Sequence, residues 1–98
     1  MEFRQLKPES LEKAAGMLKA IAHPVRITIV ECLVYGRKKT VTEIHKQLGI
    51  EQATASHHLG ILKDKGVLAS KREGKNTLYF LKHENLKTIL DCVSSCCQ

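Results

Sequence analysis

The sequence predicts a mainly α-helical domain with one small β-hairpin, in the order α-α-α-α-β-β-α, and three observations carry that prediction. Val41, Ile44 and Leu48 recur at helical spacing and stop at Gly49, where a left-handed residue costs little. Ala55, Leu59 and Leu62 form an inward stripe in a second helix that opens near Gln52 and ends at Gly66. Two extended runs, 67–71 and 77–81, then flank the turn-prone Glu73, Gly74, Lys75 and Asn76. Two helices joined by a tight turn and followed by a hairpin make a winged helix-turn-helix, with the helical pair at about 41–66 and the wing at about 67–81.

The other elements follow in chain order. Residues 1–7 read as a loose arm. Pro8 suits the first turn of a helix, and Glu9 and Glu12 complement its positive end. Leu11, Ala14 or Ala15, Leu18 and Ile21 supply its apolar stripe, and His23 before Pro24 closes it, because a residue preceding proline avoids helical angles. Pro24 also opens the next helix, with Ile27, Val30, Leu33 and Val34 inward and an end near Tyr35 and Gly36. Arg37, Lys38 and Lys39 read as a solvated basic loop. A last helix from Glu84 to about Cys97 places Leu86, Ile89, Leu90, Val93 and Cys97 at helical spacing. The terminal helices, 8–22 and 84–97, have more apolar surface than a small winged unit needs. Pairing two copies about a two-fold axis would use it; the plainer use is to complete one chain's core.

Composition narrows the function. With 98 residues the chain suits one domain, 1–98, whose core is thin enough for dimerisation to help. Sixteen Lys and Arg against ten Asp and Glu leave a formal charge of +6, which favours a polyanionic partner. Lys63, Lys65, Lys71, Arg72 and Lys75 crowd the end of the second motif helix and the wing. No apolar run reaches membrane-spanning length, and the opening MEFRQLKPESLEK lacks a signal peptide's apolar segment, so a cytoplasmic protein with no membrane partner is expected. Four Cys in that compartment are expected to be thiols. No phosphate-binding glycine loop, zincin pair or paired-carboxylate signature is present, and no His or acid stands at a recognisable spacing from any Cys, so no catalytic residue is assigned.

The stretch LKAIAHPVRITIVECL, followed by TVTEIHKQLGIEQATASHHLGILKDKGVLASKREGKNTLYFL, resembles the ArsR/SmtB family of winged-helix repressors from about Leu18 to the C-terminus. The resemblance implies a homodimer that binds a double-stranded DNA operator and leaves it when an effector acts. Gln52, Thr54, Ser56 and His57 are then the outward residues of the recognition helix. Gln can pair with adenine, while Ser and Thr can donate, accept or touch a thymine methyl. Lys71, Arg72, Lys75 and Asn76 on the wing would meet phosphates or the neighbouring minor groove. Many members cap the recognition helix with Ser or Thr where this chain has Glu51, and carry Arg where it has His57. A neutral His57 loses one phosphate-neutralising charge, so affinity is expected to rise as pH falls through the ordinary imidazole range, about 6.5. His58 matches the family's own His and is expected to pack on the second or third helix.

The effector is the least legible part. Where metal sensors of the family carry a Cys pair on the third helix, this chain has Thr40 and Thr42, poor ligands for soft metals. A last-helix metal site would fall near His83, Asn85 and Cys96, mostly the wrong residue types. Cys32, Cys92, Cys96 and Cys97 are the candidate effector-sensing thiols, toward a soft metal or metalloid, an oxidant or a persulfide; no cofactor is required. The plain alternative is that they are small apolar residues filling an interface. A rival for the whole chain is a winged-helix protein-interaction module without sequence-specific DNA binding.

Overall fold

The computed structural model describes residues 7–97 and contains five helices and one hairpin, in the expected order. The loose arm expected at 1–7 lies, apart from Lys7, outside the described residues. Helix α1 spans Pro8–Ile21 and α2 spans Pro24–Cys32. Each begins with proline, whose fixed φ and missing N–H suit the first turn. Helix α2 is capped by a histidine, since the His23 ring accepts the Val25 N–H.

Helix α2 ends earlier than its apolar pattern suggests, at Cys32 instead of near Tyr35. Tyr35 and Gly36 both adopt left-handed backbone, with φ of 64° and 72°, so the helix cannot continue through them. Nor is the basic loop merely solvated. Lys39 exchanges backbone hydrogen bonds with Tyr79, at 3.0 and 2.7 Å, and ties the chain to the hairpin before α3 begins.

Helices α3 (Val41–Leu48) and α4 (Gln52–Asp64) form the helix-turn-helix. Thr40 opens α3 with a capping box: its hydroxyl accepts the Glu43 N–H, and the Glu43 carboxylate accepts the Thr40 N–H. Those backbone and hydroxyl donors hold the Glu43 carboxyl below its usual range. Gly49 ends α3 in left-handed backbone, φ 68°, as its position in the sequence requires.

Strands β1 (Leu68–Glu73) and β2 (Asn76–Leu81) are antiparallel, with Leu68 opposite Leu81 and Glu73 opposite Asn76. Pairing runs closer to the tip than the sequence indicates and leaves only Gly74 and Lys75 in the turn. Gly74, at φ 60°, supplies the positive φ that a two-residue hairpin needs. Helix α5 spans Leu86–Cys96 and starts two residues late. His83, Glu84 and Asn85 accept from Leu86, Lys87 and Thr88 in tight i to i+3 bonds that precede regular winding.

One aliphatic core joins these elements: Ile29, Val30 and Leu33 around α2, Ile44 of α3, Leu59 and Leu62 of α4, and Val67, Leu68 and Leu81 at the hairpin base. The terminal helices contribute only Ala20, Ile21 and Leu86 fully. Leu11 and Leu18 on α1 stay 42% and 52% exposed, and Ile89 and Val93 on α5 stay 43% and 51% exposed. Single large apolar residues on a surface are ordinary; two helices each leaving a stripe uncovered are not.

Replacing Thr40 by Ala should remove the α3 cap and lower stability by about 1 kcal/mol. Urea denaturation of the full chain measures this. An unchanged midpoint would mean that the box contributes nothing net.

Candidate nucleic-acid interface

The outward face of α4 is fixed by its inward one. Ala55, His58, Leu59 and Leu62 are buried, which turns Gln52, Ala53, Thr54, Ser56 and His57 to solvent. At about 100° per residue, Ala53, His57 and Gly60 lie opposite the buried stripe, with Thr54 and Ser56 on its flanks. Ala53 and Gly60 are small residues that the polar pattern did not single out. An added Cβ at Gly60 would meet nothing within 4 Å, so the site has room and no steric need for glycine within one chain.

Glu51 occupies the N-cap of α4, and its side chain makes no capping hydrogen bond. The carboxylate is exposed beside the helix start. It complements the dipole but offers nothing to an approaching phosphate.

The hairpin supplies the cations. Lys71 and Arg72 are exposed on β1, Lys75 is in the turn, and Asn76 begins β2, also exposed. Arg72 Nε donates to the Gly74 carbonyl at 3.3 Å, which folds the guanidinium back over the turn. Among the described residues, none of Lys63, Lys65, Lys71, Arg72 and Lys75 forms an ion pair with a carboxylate; the pair present is Lys87 with Asp91 on α5. The positive charge on this side is therefore available to a polyanion.

His58 is where the sequence reading put it, against the second helix: it is buried and accepts a hydrogen bond from Arg26 of α2. Arg26 itself was missed, because it stands 32 residues away in sequence and no local pattern marks the contact.

The four thiols divide into two kinds. Cys32 is buried beside a crevice lined by Pro24, Val25, Thr28, Gln47, Leu48 and Ile50. Burial pushes its thiol above the usual range, against the opposing pull of Lys39. Cys92, Cys96 and Cys97 are exposed on α5 and at its end. Among the described residues, no three His, Cys, Asp or Glu side chains converge as a metal site. Among the described residues, no helix is long and apolar enough to cross a membrane.

A helix-turn-helix domain model matches residues 21–71, which run from the end of α1 to the start of the wing. The transcriptional repressor SmtB of Mycobacterium tuberculosis is 40% identical over 87 residues, covering 88% of this chain and 64% of that protein. The HTH-type transcriptional regulator MJ1325 of Methanocaldococcus jannaschii is 35% identical over 85 residues, covering 87% of this chain and 96% of its own. The homodimeric winged helix-turn-helix DNA-binding domain of a possible ArsR-family regulator from Mycobacterium bovis superposes with a TM-score of 0.81. It is 27% identical, and the match covers 99% of this chain and 87% of that one.

The chain belongs to the ArsR/SmtB family. Members of this family are DNA-binding transcriptional regulators, not enzymes, and α3, α4 and the hairpin are the corresponding motif and wing here.

For an ArsR/SmtB protein, wing cations should govern affinity more than sequence choice. Changing Lys71 and Arg72 together to Gln should weaken binding to every duplex and flatten the salt dependence by about two in log–log slope, one per lost phosphate contact. Fluorescence anisotropy at several salt concentrations measures it. Altered discrimination with intact non-specific affinity would assign these residues to base reading instead.

Proposed function

We propose that this chain acts as a dimeric repressor whose two α4 helices read adjacent half-sites of an operator. In this reading Gln52, Thr54, Ser56 and His57 meet base edges in the major groove. Lys71, Arg72, Lys75 and Asn76 of the wing hold the flanking backbone. The observation that carries it is the two-faced α4: a wholly buried aliphatic stripe with Thr54, Ser56 and His57 exposed around the rest of the helix, beside hairpin cations that make no ion pair among the described residues.

The dimer follows from the termini. Leu11 and Leu18 are two turns apart on α1, and Ile89 and Val93 are one turn apart on α5, all substantially exposed in the single chain. Packing these stripes against a second copy removes them from water. Each side chain so covered contributes on the order of 1 kcal/mol. The Mycobacterium bovis domain is homodimeric, which supports a dimer here without specifying its seam.

Effector control, where thiols serve it, would begin at Cys92, Cys96 and Cys97. These three are open to a soft metal, metalloid, oxidant or persulfide. Cys32 is buried, and that burial raises its thiol above the usual range, which disfavours the reactive thiolate there. Because α5 also carries the uncovered apolar stripe, modifying its end would act on the dimer seam and through it on the spacing of the two reading helices.

The experiment is selection of a duplex from a random pool by the reduced full-length chain, followed by binding measurements on the winning sequence. Gln52→Ala should lower discrimination between that duplex and a scrambled one by about 1–3 kcal/mol, with little change on the scrambled duplex. Leu18→Glu with Val93→Glu should give a monomer by sedimentation and weaken operator binding. Failure to enrich any sequence would favour the protein-interaction module. A double-Glu variant that remained dimeric would place the two-fold seam elsewhere.

A further inference from the structure

Helix α4 is fastened to the rest of the domain by more than aliphatic packing. Arg26 Nε donates to His58 Nδ1 at 3.1 Å, and Arg26 Nη1 donates to the Ala20 carbonyl at 3.3 Å. The His23 ring lies 4.8 Å from the His58 ring between centroids, and its own Nδ1 accepts the Val25 N–H at 3.1 Å. His58 is only 8% exposed. The end of α1, the start of α2 and the middle of α4 therefore meet at one polar contact in an otherwise aliphatic interior.

The chemistry of that contact allows one protonation state. A ring nitrogen that accepts a hydrogen bond carries no proton, so both imidazoles keep the Nδ1 lone pair free. A proton on His58 Nδ1 would turn the acceptor into a donor facing a guanidinium that has no acceptor to offer.

We propose that Arg26, His58 and His23 form a proton-sensitive joint that positions the recognition helix, so that acidification loosens α4 from α2 and weakens the hold on DNA. The proposal rests on α4 being the DNA-reading helix. None of the three residues needs to touch DNA; they act through the outward face of α4 and are positioning residues.

The surroundings reinforce the preference for a neutral ring. Acting on His58 are His23 from the α1–α2 junction, Arg26 from α2 and His57 from α4 itself, and none is a carboxylate. Glu12 and Lys19 of α1, with Lys65 after α4, line a groove that Arg26 also lines. On α3, His45 is engaged with the Ile50 carbonyl at 3.1 Å, and on β1 the cations Lys71 and Arg72 are exposed. Burial first, and then the three neighbours, hold the His58 imidazole below its ordinary value of 6.5. The folded state thus binds its proton less readily than the unfolded chain. The joint is fully present above about pH 6.5 and is lost as pH falls through the depressed folded value. A positive charge on the exposed His57 would act in the opposite direction, by strengthening attraction to phosphates.

The test removes that opposing effect by working in His57→Gln, with the full chain and the selected duplex, from about pH 8 to about pH 5.5. Affinity should fall about tenfold across this range, the equivalent of losing one hydrogen bond to a charged group. Adding His58→Asn puts an amide oxygen near the Nδ1 position, where it can accept from Arg26 and cannot titrate. Whatever its affinity at the alkaline end, this double variant should vary by no more than about twofold with pH. Affinity that stays flat or rises on acidification in His57→Gln, or a double variant that falls as steeply as its parent, would overturn the joint. Nitrogen-resolved imidazole spectra of the wild-type chain keep the question open to decision should the double variant not fold. His58 Nδ1 should be unprotonated at neutral pH, and a protonated Nδ1 would overturn the proposal. Those spectra need no DNA, whereas absence of specific binding by the wild-type chain at the alkaline end would count against α4 as the reading helix.

Discussion

The burial of one aliphatic stripe on α4 against α2 and α3 is the constraint on which the rest of the structure depends. Ala55, Leu59 and Leu62 are wholly excluded from solvent, as are Ile29, Val30, Leu33 and Ile44, which form the core beside Leu59 and Leu62. Removing a leucine side chain from water contributes roughly 1.5–3 kcal/mol, so rotating α4 to bury its polar face would forfeit several such contributions at once. That energetic preference presents Gln52, Thr54, Ser56 and His57 outward, and it also delivers His58 to Arg26. The hairpin is anchored to the same core by Val67, Leu68 and Leu81, so the wing and α4 share one packed base.

In the proposed reading, labour divides between those two parts. The wing is strongly basic and sits on a short two-stranded ribbon, suited to gripping a uniform phosphate backbone. The face of α4 carries amide and hydroxyl groups, suited to distinguishing base edges, with the small Ala53 and Gly60 leaving space for close approach. Glu51 runs against the trend. Its exposed carboxylate at the helix start would oppose phosphate contact there, which in that reading leaves more of the electrostatic work to the hairpin.

Most of the fold is legible in the sequence because its signals are local. Gly49 marks the end of α3, the stripes mark their helices, and the Glu73 to Asn76 cluster marks the hairpin. The Thr40–Glu43 capping box is written there too, in TVTE, though the apolar periodicity starting at Val41 overshadows it. What the sequence hides depends on distant partners or on unusual backbone. Tyr35 takes a positive φ that a bulky residue seldom adopts, so nothing local announces the end of α2 at Cys32. Lys39 finds Tyr79 across the whole helix-turn-helix, and Arg26 finds His58 from another helix. Of the interface, the exposed positions were readable from periodicity; the support beneath them was not. The thiols show the same limit: spacing groups Cys92, Cys96 and Cys97, but only packing separates them from the shielded Cys32.

The measurement that bears most directly on a paired reading helix is a hydroxyl-radical footprint of the wild-type chain on its selected duplex. Two equal protected patches on one side of the DNA, centred about one helical turn or a multiple of it apart, are predicted for two α4 helices related by a two-fold axis. A single patch, or protection spread evenly along the duplex, would contradict the paired-helix arrangement and leave only non-specific attraction to a basic surface.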